Sequence, residues 1–377
     1  MERRNESVRG NSSLHRLITP RSRSRSSALD QFDVIVVGCG PAGATAARVA
    51  ADSGRSVLII DRKRSVGQPP RCAGFVPSWL PPYAGVDESA VIQPITQVCL
   101  SQGEFSTTVG VDGCVIDRTR FDKTLAIHAL ESGADLCNGF VIRRKDRTLV
   151  ARRNGVEATF GGGAIVCADG ASSVVSRSMA RNRRRFLATM QLEIGLDEPC
   201  TQVTLRRPVI EGRGLGWFIP SGRTAKIGVA LPRALARLLK PALSRFVRTL
   251  GKDALVFENA TLGATGGLVP VDRRPLTDAS LCLVVAGDAR GGLGVDGAGI
   301  ANAVLSGELA GHTVDRFLTN NSEDVIETYP ASLDRLLRYG RAAAEEKTLT
   351  SSFEKWVGRT RDIFVWRPEH VSMDAAS

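Results

Sequence analysis

The sequence predicts an α/β fold: a Rossmann-like parallel sheet, an antiparallel sheet inserted into it, and helices toward the C-terminus. Three observations predict it. The apolar run Val34–Val37 leads directly into Gly38, Gly40 and Gly43, an alanine-rich stretch and a second apolar run, Val57–Ile60. Two later apolar runs end in turn-forming pairs, Asp169-Gly170 and Gly287-Asp288. Between those two, residues 186–231 break into short segments separated by turn residues, the pattern of an antiparallel sheet.

Taken in order, residues 1–30 are rich in Arg and Ser, show little apolar periodicity and read as a disordered basic tail. Residues 33–63 form one strand–turn–helix–strand unit. Val34–Val37 is continuously apolar, as befits a strand buried on both faces. The spacing Gly38-x-Gly40-x-x-Gly43 serves a tight turn, close approach of a pyrophosphate, and close helix–strand packing in turn. Ala42 and Gly43 open the helix, whose N-terminal N–H groups attract phosphate. Asp61, ending the second strand 23 residues after Gly38, is placed to accept bonds from ribose hydroxyls. A lone glycine motif is weak, but all these features within about thirty residues point to a dinucleotide site. The decapeptide QPPRCAGFVP (68–77) follows and sets Cys72 among three prolines. Residues 115–136 read as Arg118, an amphipathic helix and then a Gly-Ala turn into a strand. The pair Gly287-Asp288 precedes a glycine-rich loop and a helix that starts near Gly299 and Ile300. The domains expected are a nucleotide-binding unit built discontinuously from 31–180 and 266–320, a substrate-binding sheet at 181–265, and a helical region at 321–377.

Composition narrows the function. The formal charge is +11, of which the first thirty residues supply +4. Such a balance attracts anionic membranes, phosphate-bearing substrates and nucleic acid alike. No interleaved aromatic–basic pattern or zinc-finger spacing supports nucleic acid. No apolar run reaches the roughly 18–20 residues that span a bilayer. The cysteines fall at 39, 72, 99, 114, 137, 167, 200 and 282, never two at C-x-x-C spacing, so neither a metal site nor a disulfide framework is expected. A reducing cytosol fits this cysteine usage, and the lack of a spanning run predicts a cytoplasmic protein or one peripheral to a membrane. His15, His128, His312 and His370 form no triad or metal pattern.

The Asp169-Gly170 and Gly287-Asp288 segments resemble the signatures of FAD enzymes built like the aromatic hydroxylases. That resemblance implies that FAD is the dinucleotide and that Asp288 binds its ribityl chain. It also implies that Arg118 lies against the cofactor and that the helix at Gly299–Ile300 points its N-terminus at the flavin ring. From about 31 to 320 the chain further resembles the geranylgeranyl reductase family, which saturates isolated double bonds of polyprenyl chains. The residues that carry this likeness are PPRCAG (69–74), LGWFIP (215–220) and GGLVPVDRRPL (266–276). Within them Ala73 stands where the family has glycine, Leu215 where it has tyrosine and Ile219 where it has phenylalanine. Leu293-Gly294 replaces an Asn-Pro. By the resemblance, Cys72, Ala73 and Phe75 lie near the flavin, and Cys72 donates a proton or shapes the cavity. Trp217, Phe218 and Pro220 line a substrate tunnel. The expected electron donor is NADPH or a ferredoxin-like carrier, and the expected partners are a polyprenyl lipid and an anionic membrane surface. Two other readings fit the same residues: an FAD-dependent monooxygenase or halogenase acting on a small ring, and a non-enzymatic basic protein that binds lipid or nucleic acid. Oligomeric state is not written in the sequence.

Overall fold

Five parallel strands form the spine, and the central one is the run that the sequence marks as buried on both faces. A computed structural model describes residues 30–179, 185–250, 256–272, 276–291, 299–337 and 352–365. The basic tail at 1–29, the arginine cluster at 181–184, the glycine loop at 292–298 and residues 338–351 lie outside the described residues.

The chain opens with β1 (Asp30–Val37), α1 (Pro41–Asp52) and β2 (Val57–Asp61). A short β3 (Phe75–Pro77) and a single turn of helix, α2 (Leu80–Tyr83), follow. Next come the long hairpin β4 (Val91–Gln102) and β5 (Phe105–Ile116), then α3 (Arg118–Glu131). The strands β6 (Asp135–Asn138), β7 (Phe140–Lys145), β8 (Thr148–Arg153) and β9 (Val156–Cys167) complete the first half. The second half begins with β10 (Phe186–Leu196), β11 (Gln202–Arg207), β12 (Leu215–Ser221), β13 (Thr224–Pro232) and α4 (Leu239–Thr249). After β14 (Val256–Pro270), β15 (Thr277–Asp278) and β16 (Leu283–Val285) come the helices α5 (Gly299–Asn320), α6 (Glu323–Leu336) and α7 (Phe353–Val365).

The first sheet runs β15-β16-β9-β1-β2-β6, with β7 and β8 joined to β9 as an antiparallel extension. Strands β16, β9, β1, β2 and β6 are mutually parallel. Alternation sorts their side chains. Val34, Val36, Val57 and Ile59 pack with α1, α3, α5 and α6 on one face. Ile35, Val37, Leu58 and Ile60 pack under β7 and β8 on the other. Both faces are covered, so the continuous apolar runs of β1 and β2 have no wet side to serve.

The second sheet runs β14-β10-β13-β12-β11-β4-β5-β3. All its pairs are antiparallel except β11 with β4. It is wider than the 181–265 range suggests: β3, β4 and β5 come from 75–116, and β14 continues to Pro270. The parallel β4–β11 contact joins segments about a hundred residues apart, which local patterning does not encode. One face of this sheet packs on α4 through Leu239, Ala242, Leu243 and Phe246. The opposite face is partly covered by α7. Phe364 stacks on Phe75 at 4.6 Å between centroids, and the Arg207 guanidinium lies 4.2 Å from the Trp356 ring centroid. The C-terminal helix therefore caps core. Among the described residues no helix is long and apolar enough to cross a membrane.

Candidate active site

Four motifs from three regions of the sequence end at one edge of the first sheet. The glycines follow β1, Asp61 ends β2, Asp169-Gly170 follows β9, and Gly287-Asp288 follows β16. Backbone bonds staple these ends together: Gly38 N–H donates to Ile60 at 2.8 Å, Ala168 N–H to Val37 at 2.8 Å, and Ala286 N–H to Cys167 at 2.9 Å. The carboxyl ends of parallel strands are where open α/β sheets bind ligands.

The three glycines differ in what requires them. Gly38 has φ +102°, and a Cβ there would lie 2.3 Å from the Ala168 carbonyl oxygen. A Cβ on Gly43 would lie 1.8 Å from the Gly38 carbonyl oxygen. The fold itself demands both. A Cβ on Gly40 would meet nothing within 4 Å, although Gly40 caps the N-terminus of α1. The protein's own packing gives no reason for glycine there; a phosphate approaching the helix does. Ala42 sits beneath, buried in the first turn.

Asp61 is buried, and its carboxylate accepts from Cys39 N–H at 2.5 Å and from Lys63 N–H at 2.6 Å. Two bonds leave lone pairs for ribose hydroxyls. Asp169 accepts from Val174 N–H at 2.7 Å through Oδ2, while its buried Oδ1 has no partner. Burial pushes the Asp169 carboxyl above the usual range. A buried acceptor left open beside the Gly38 turn costs stability unless a ligand satisfies it. Together with the space at Gly40, it makes these residues fit FAD. Gly287 donates its N–H to Ser306 Oγ at 3.0 Å, and Tyr329 Oη donates to the Val285 carbonyl at 3.1 Å. Asp288 is exposed in the turn that follows. Gly299 and Ile300 begin α5, with Ile300 buried against the first sheet.

The loop carrying Cys72 leaves β2 and lies down on the N-terminus of α3. Gly74 (φ +85°) allows it, because a Cβ there would lie 2.5 Å from the Ile116 carbonyl oxygen. Cys72 is exposed; Ala73 is buried. The Arg118 guanidinium lies near enough to the Cys72 thiol to interact with it electrostatically, and is itself gripped by Asp122, through Nε at 3.0 Å and Nη2 at 2.8 Å. Burial opposes the charge on Arg118, but Asp122 outweighs it and holds the group firmly protonated. Asp117 caps the same helix by accepting from Thr119 N–H at 2.8 Å. Asp122 is a residue that the sequence analysis passed over; its four-residue spacing from Arg118 was the available signal. Replacing Asp122 with Ala leaves a nearly buried guanidinium without its carboxylate. The expected cost is about 3 kcal/mol, read in a thermal or urea melt of the apoprotein. A change under about 0.5 kcal/mol, the size of an ordinary surface substitution, would contradict the pairing.

Cys39, inside the glycine loop, is a different thiol. Burial, and then the nearby Asp61 charge, push its pKa up to about 12, so it stays protonated and inert.

On the second sheet, Trp217 faces the same side as Gln191, Thr265 and Gly267, following the register Gln191↔Gly228, Gln191↔Thr265 and Trp217↔Gly228. Its Nε1 donates to Gln191 Oε1 at 2.9 Å. The indole lies over Gly228, where a Cβ would sit 2.2 Å from the ring. The Cys72 loop reaches this face, since Arg71 Cδ lies 4.0 Å from the position of a Cβ on Gly267. Phe218 and Pro220 correct the expectation of a shared wall. They fall on the other face of β12, where Phe218 packs into the α4 cluster. Adjacent residues of a strand cannot line one cavity face. The Phe75 side chain stacks on Phe364, in the core cluster that holds Ala73 of the loop and against which Trp217 packs. Among the described residues no group of three His, Cys, Asp or Glu is arranged to hold a metal.

Comparison with known proteins agrees with this geometry. Residues 33–68 match the family profile described as FAD dependent oxidoreductase. The chain is 28% identical over 341 residues to the digeranylgeranylglycerophospholipid reductase of Methanoculleus marisnigri, covering 80% of this chain and 81% of that protein. It is 27% identical to the protein of that name from Methanocaldococcus jannaschii, covering 80% and 81%. Over four-fifths of its length the chain is thus similar to reductases of the geranylgeranyl type, and its first strand–turn–helix–strand unit is similar to that of FAD-dependent oxidoreductases. Its fold matches that of a geranylgeranyl bacteriochlorophyll reductase-like protein from Thermoplasma acidophilum, with a TM-score of 0.74, 22% identity, and 93% and 95% of the two chains covered. A flavin-dependent brominase shares the fold at a TM-score of 0.69 and 18% identity, covering 92% of this chain and 98% of that one. Fold alone therefore does not separate geranylgeranyl reductases from halogenases; the sequence relatives reported above are reductases by name.

Proposed function

We propose that this enzyme saturates carbon–carbon double bonds of a polyprenyl chain, carried by a geranylgeranyl-type lipid or by the side chain of a quinone or chlorophyll precursor. The observation that carries this reading is the exposed thiol of Cys72, near the Arg118 guanidinium, on a loop that runs from the dinucleotide edge to the Trp217 face. Bound and reduced, FAD supplies the hydride that such an alkene needs. The chain's own residues do the rest. Gly40 and the N-terminus of α1 hold the pyrophosphate, Asp61 the ribose, and Asp169 and Asp288 the flavin half. Ala42 and Gly43 keep the first turn of α1 close to the phosphates, and Gly299 and Ile300 bring the start of α5 to the flavin side. Cys72 holds a proton at Sγ for the second alkene carbon, and Arg118 balances the charge left when that proton departs. Trp217, fixed by Gln191, gives the chain an apolar wall. Burying one five-carbon unit stabilises binding by roughly 3–4 kcal/mol at about 0.8 kcal/mol per carbon, so few polar contacts are needed.

The electrons come from NADPH or a ferredoxin-like carrier, and anaerobic bleaching of the flavin band on adding NADPH distinguishes the two. The test of the reaction is to incubate chemically reduced holoenzyme with an unsaturated digeranylgeranyl glycerophospholipid under argon. The expected result is a ladder of two-dalton mass gains with stoichiometric flavin reoxidation. No gain in mass, combined with oxygen uptake once air is admitted with a small aromatic substrate, would favour the monooxygenase or halogenase reading instead.

A further inference from the structure

The segment from Arg233 to Leu250 carries Arg233, Arg237, Lys240, Arg245 and Arg248 and not one Asp or Glu. All five cations are exposed. The apolar side of α4 is already used, with Leu239, Ala242, Leu243 and Phe246 buried against the second sheet. Folding uses Arg233, whose guanidinium lies 6.0 Å from the Phe186 ring centroid, but does not explain the other four cations. Arg233 and Arg237 are four residues apart and Arg245 and Arg248 three, and like charges at those spacings destabilise a helical segment. Two exposed apolar groups lie on the same side of the sheet. Val247 is 36% exposed on α4, and Leu268 is 40% exposed on β14, paired with Ala188 of the α4 cluster and so on the same side of the sheet. No aromatic side chain is exposed along the segment, so it offers no platform for stacking bases. Cations around scattered apolar tips suit the headgroup layer of an anionic bilayer.

We propose that the exposed face of α4, with the turn before it, binds anionic lipid bilayers and holds the enzyme on the membrane surface. The face lies on the far side of the second sheet from Trp217, so docking leaves the Trp217 side uncovered. The attraction is electrostatic and falls away within a Debye length, about 8–10 Å at physiological salt.

The test uses the full-length holoenzyme and needs no substrate, so it stands or falls apart from the reaction proposed above. Flotation with phosphatidylcholine vesicles is compared with and without phosphatidylglycerol. Binding is expected only with phosphatidylglycerol, and molar salt should abolish it. The variant Arg237→Gln/Lys240→Gln/Arg245→Gln should bind about 100-fold more weakly, since each cation near an anionic surface contributes roughly a factor of five. A control, Arg143→Gln/Lys145→Gln/Arg153→Gln, removes the same charge from the β7–β8 hairpin and should bind within about threefold of the parent, as only long-range attraction is lost. Flavin absorbance and a thermal melt confirm that both variants are folded. Equal weakening by the two triples would reduce the effect to net charge and overturn the proposal. So would unaltered binding by the α4 triple, which would assign the contact to the arginine-rich tail. No binding to either vesicle would overturn it, as would tighter binding to duplex DNA that the α4 triple abolishes.

Discussion

Gly40→Val gives a folded protein without flavin. The backbone at Gly40 is extended, with φ −86° and ψ −176°, which valine adopts without strain. Nothing lies within 4 Å of the new Cβ, so the apoprotein should melt within about 0.5 kcal/mol of the parent, as surface substitutions usually do. The added methyls occupy the approach to the N–H groups of α1. Hydrogen bonds to a charged partner contribute about 1.5–3 kcal/mol each, so FAD affinity should fall on the order of 100-fold. Absorbance of bound flavin per protein, beside a thermal melt, reads both halves. Gly43→Ala is the informative contrast. Its Cβ would lie 1.8 Å from the Gly38 carbonyl oxygen, so the fold suffers whether or not a ligand is present. A Gly40→Val protein that purifies with a full complement of FAD would remove the dinucleotide site from this turn.

Cys72→Ala keeps its flavin and loses turnover. The side chain is exposed, so its removal leaves no core cavity. A positioned general acid typically contributes roughly 10²- to 10⁴-fold, and a loss of about 100-fold in kcat is expected here because solvent is an alternative proton source. Cys39→Ala serves as the internal comparison: that thiol is buried with its pKa pushed up to about 12 and should not affect the protonation step. Single-turnover reoxidation of reduced enzyme by the lipid substrate separates chemistry from binding. Normal turnover by flavin-bound Cys72→Ala would leave Cys72 a role in cavity shape alone.

Much of the dinucleotide edge is legible in the amino-acid order. Gly38, Gly40, Gly43 and Asp61 sit in one contiguous stretch, where strand, turn, helix and strand follow from local apolar pattern and backbone sterics. The Asp169-Gly170 and Gly287-Asp288 pairs are legible as turns, but only the order β16-β9-β1-β2 brings them to the edge where Asp61 lies. The pairing of Arg118 with Asp122 can be read from spacing, whereas the nearness of Arg118 to Cys72 cannot. Phe218 marks a different shortfall. The alternation of β12 is already in the sequence and puts Trp217 and Phe218 on opposite faces. Treating the shared family motif as one wall leaves that period out.

The sequence by itself determined the β1–α1–β2 unit, the nucleotide chemistry of its turn and the presence of a cysteine in a proline-stiffened loop. These depend on interactions within a few residues, which neighbouring side chains dictate. Only the tertiary structure decided that β3, β4 and β5 belong to the sheet carrying Trp217, that α7 closes over Phe75, and that Cys72 lies near Arg118. Such contacts join residues tens to hundreds of positions apart, and they are selected by burial and shape across the whole fold, which no local pattern records.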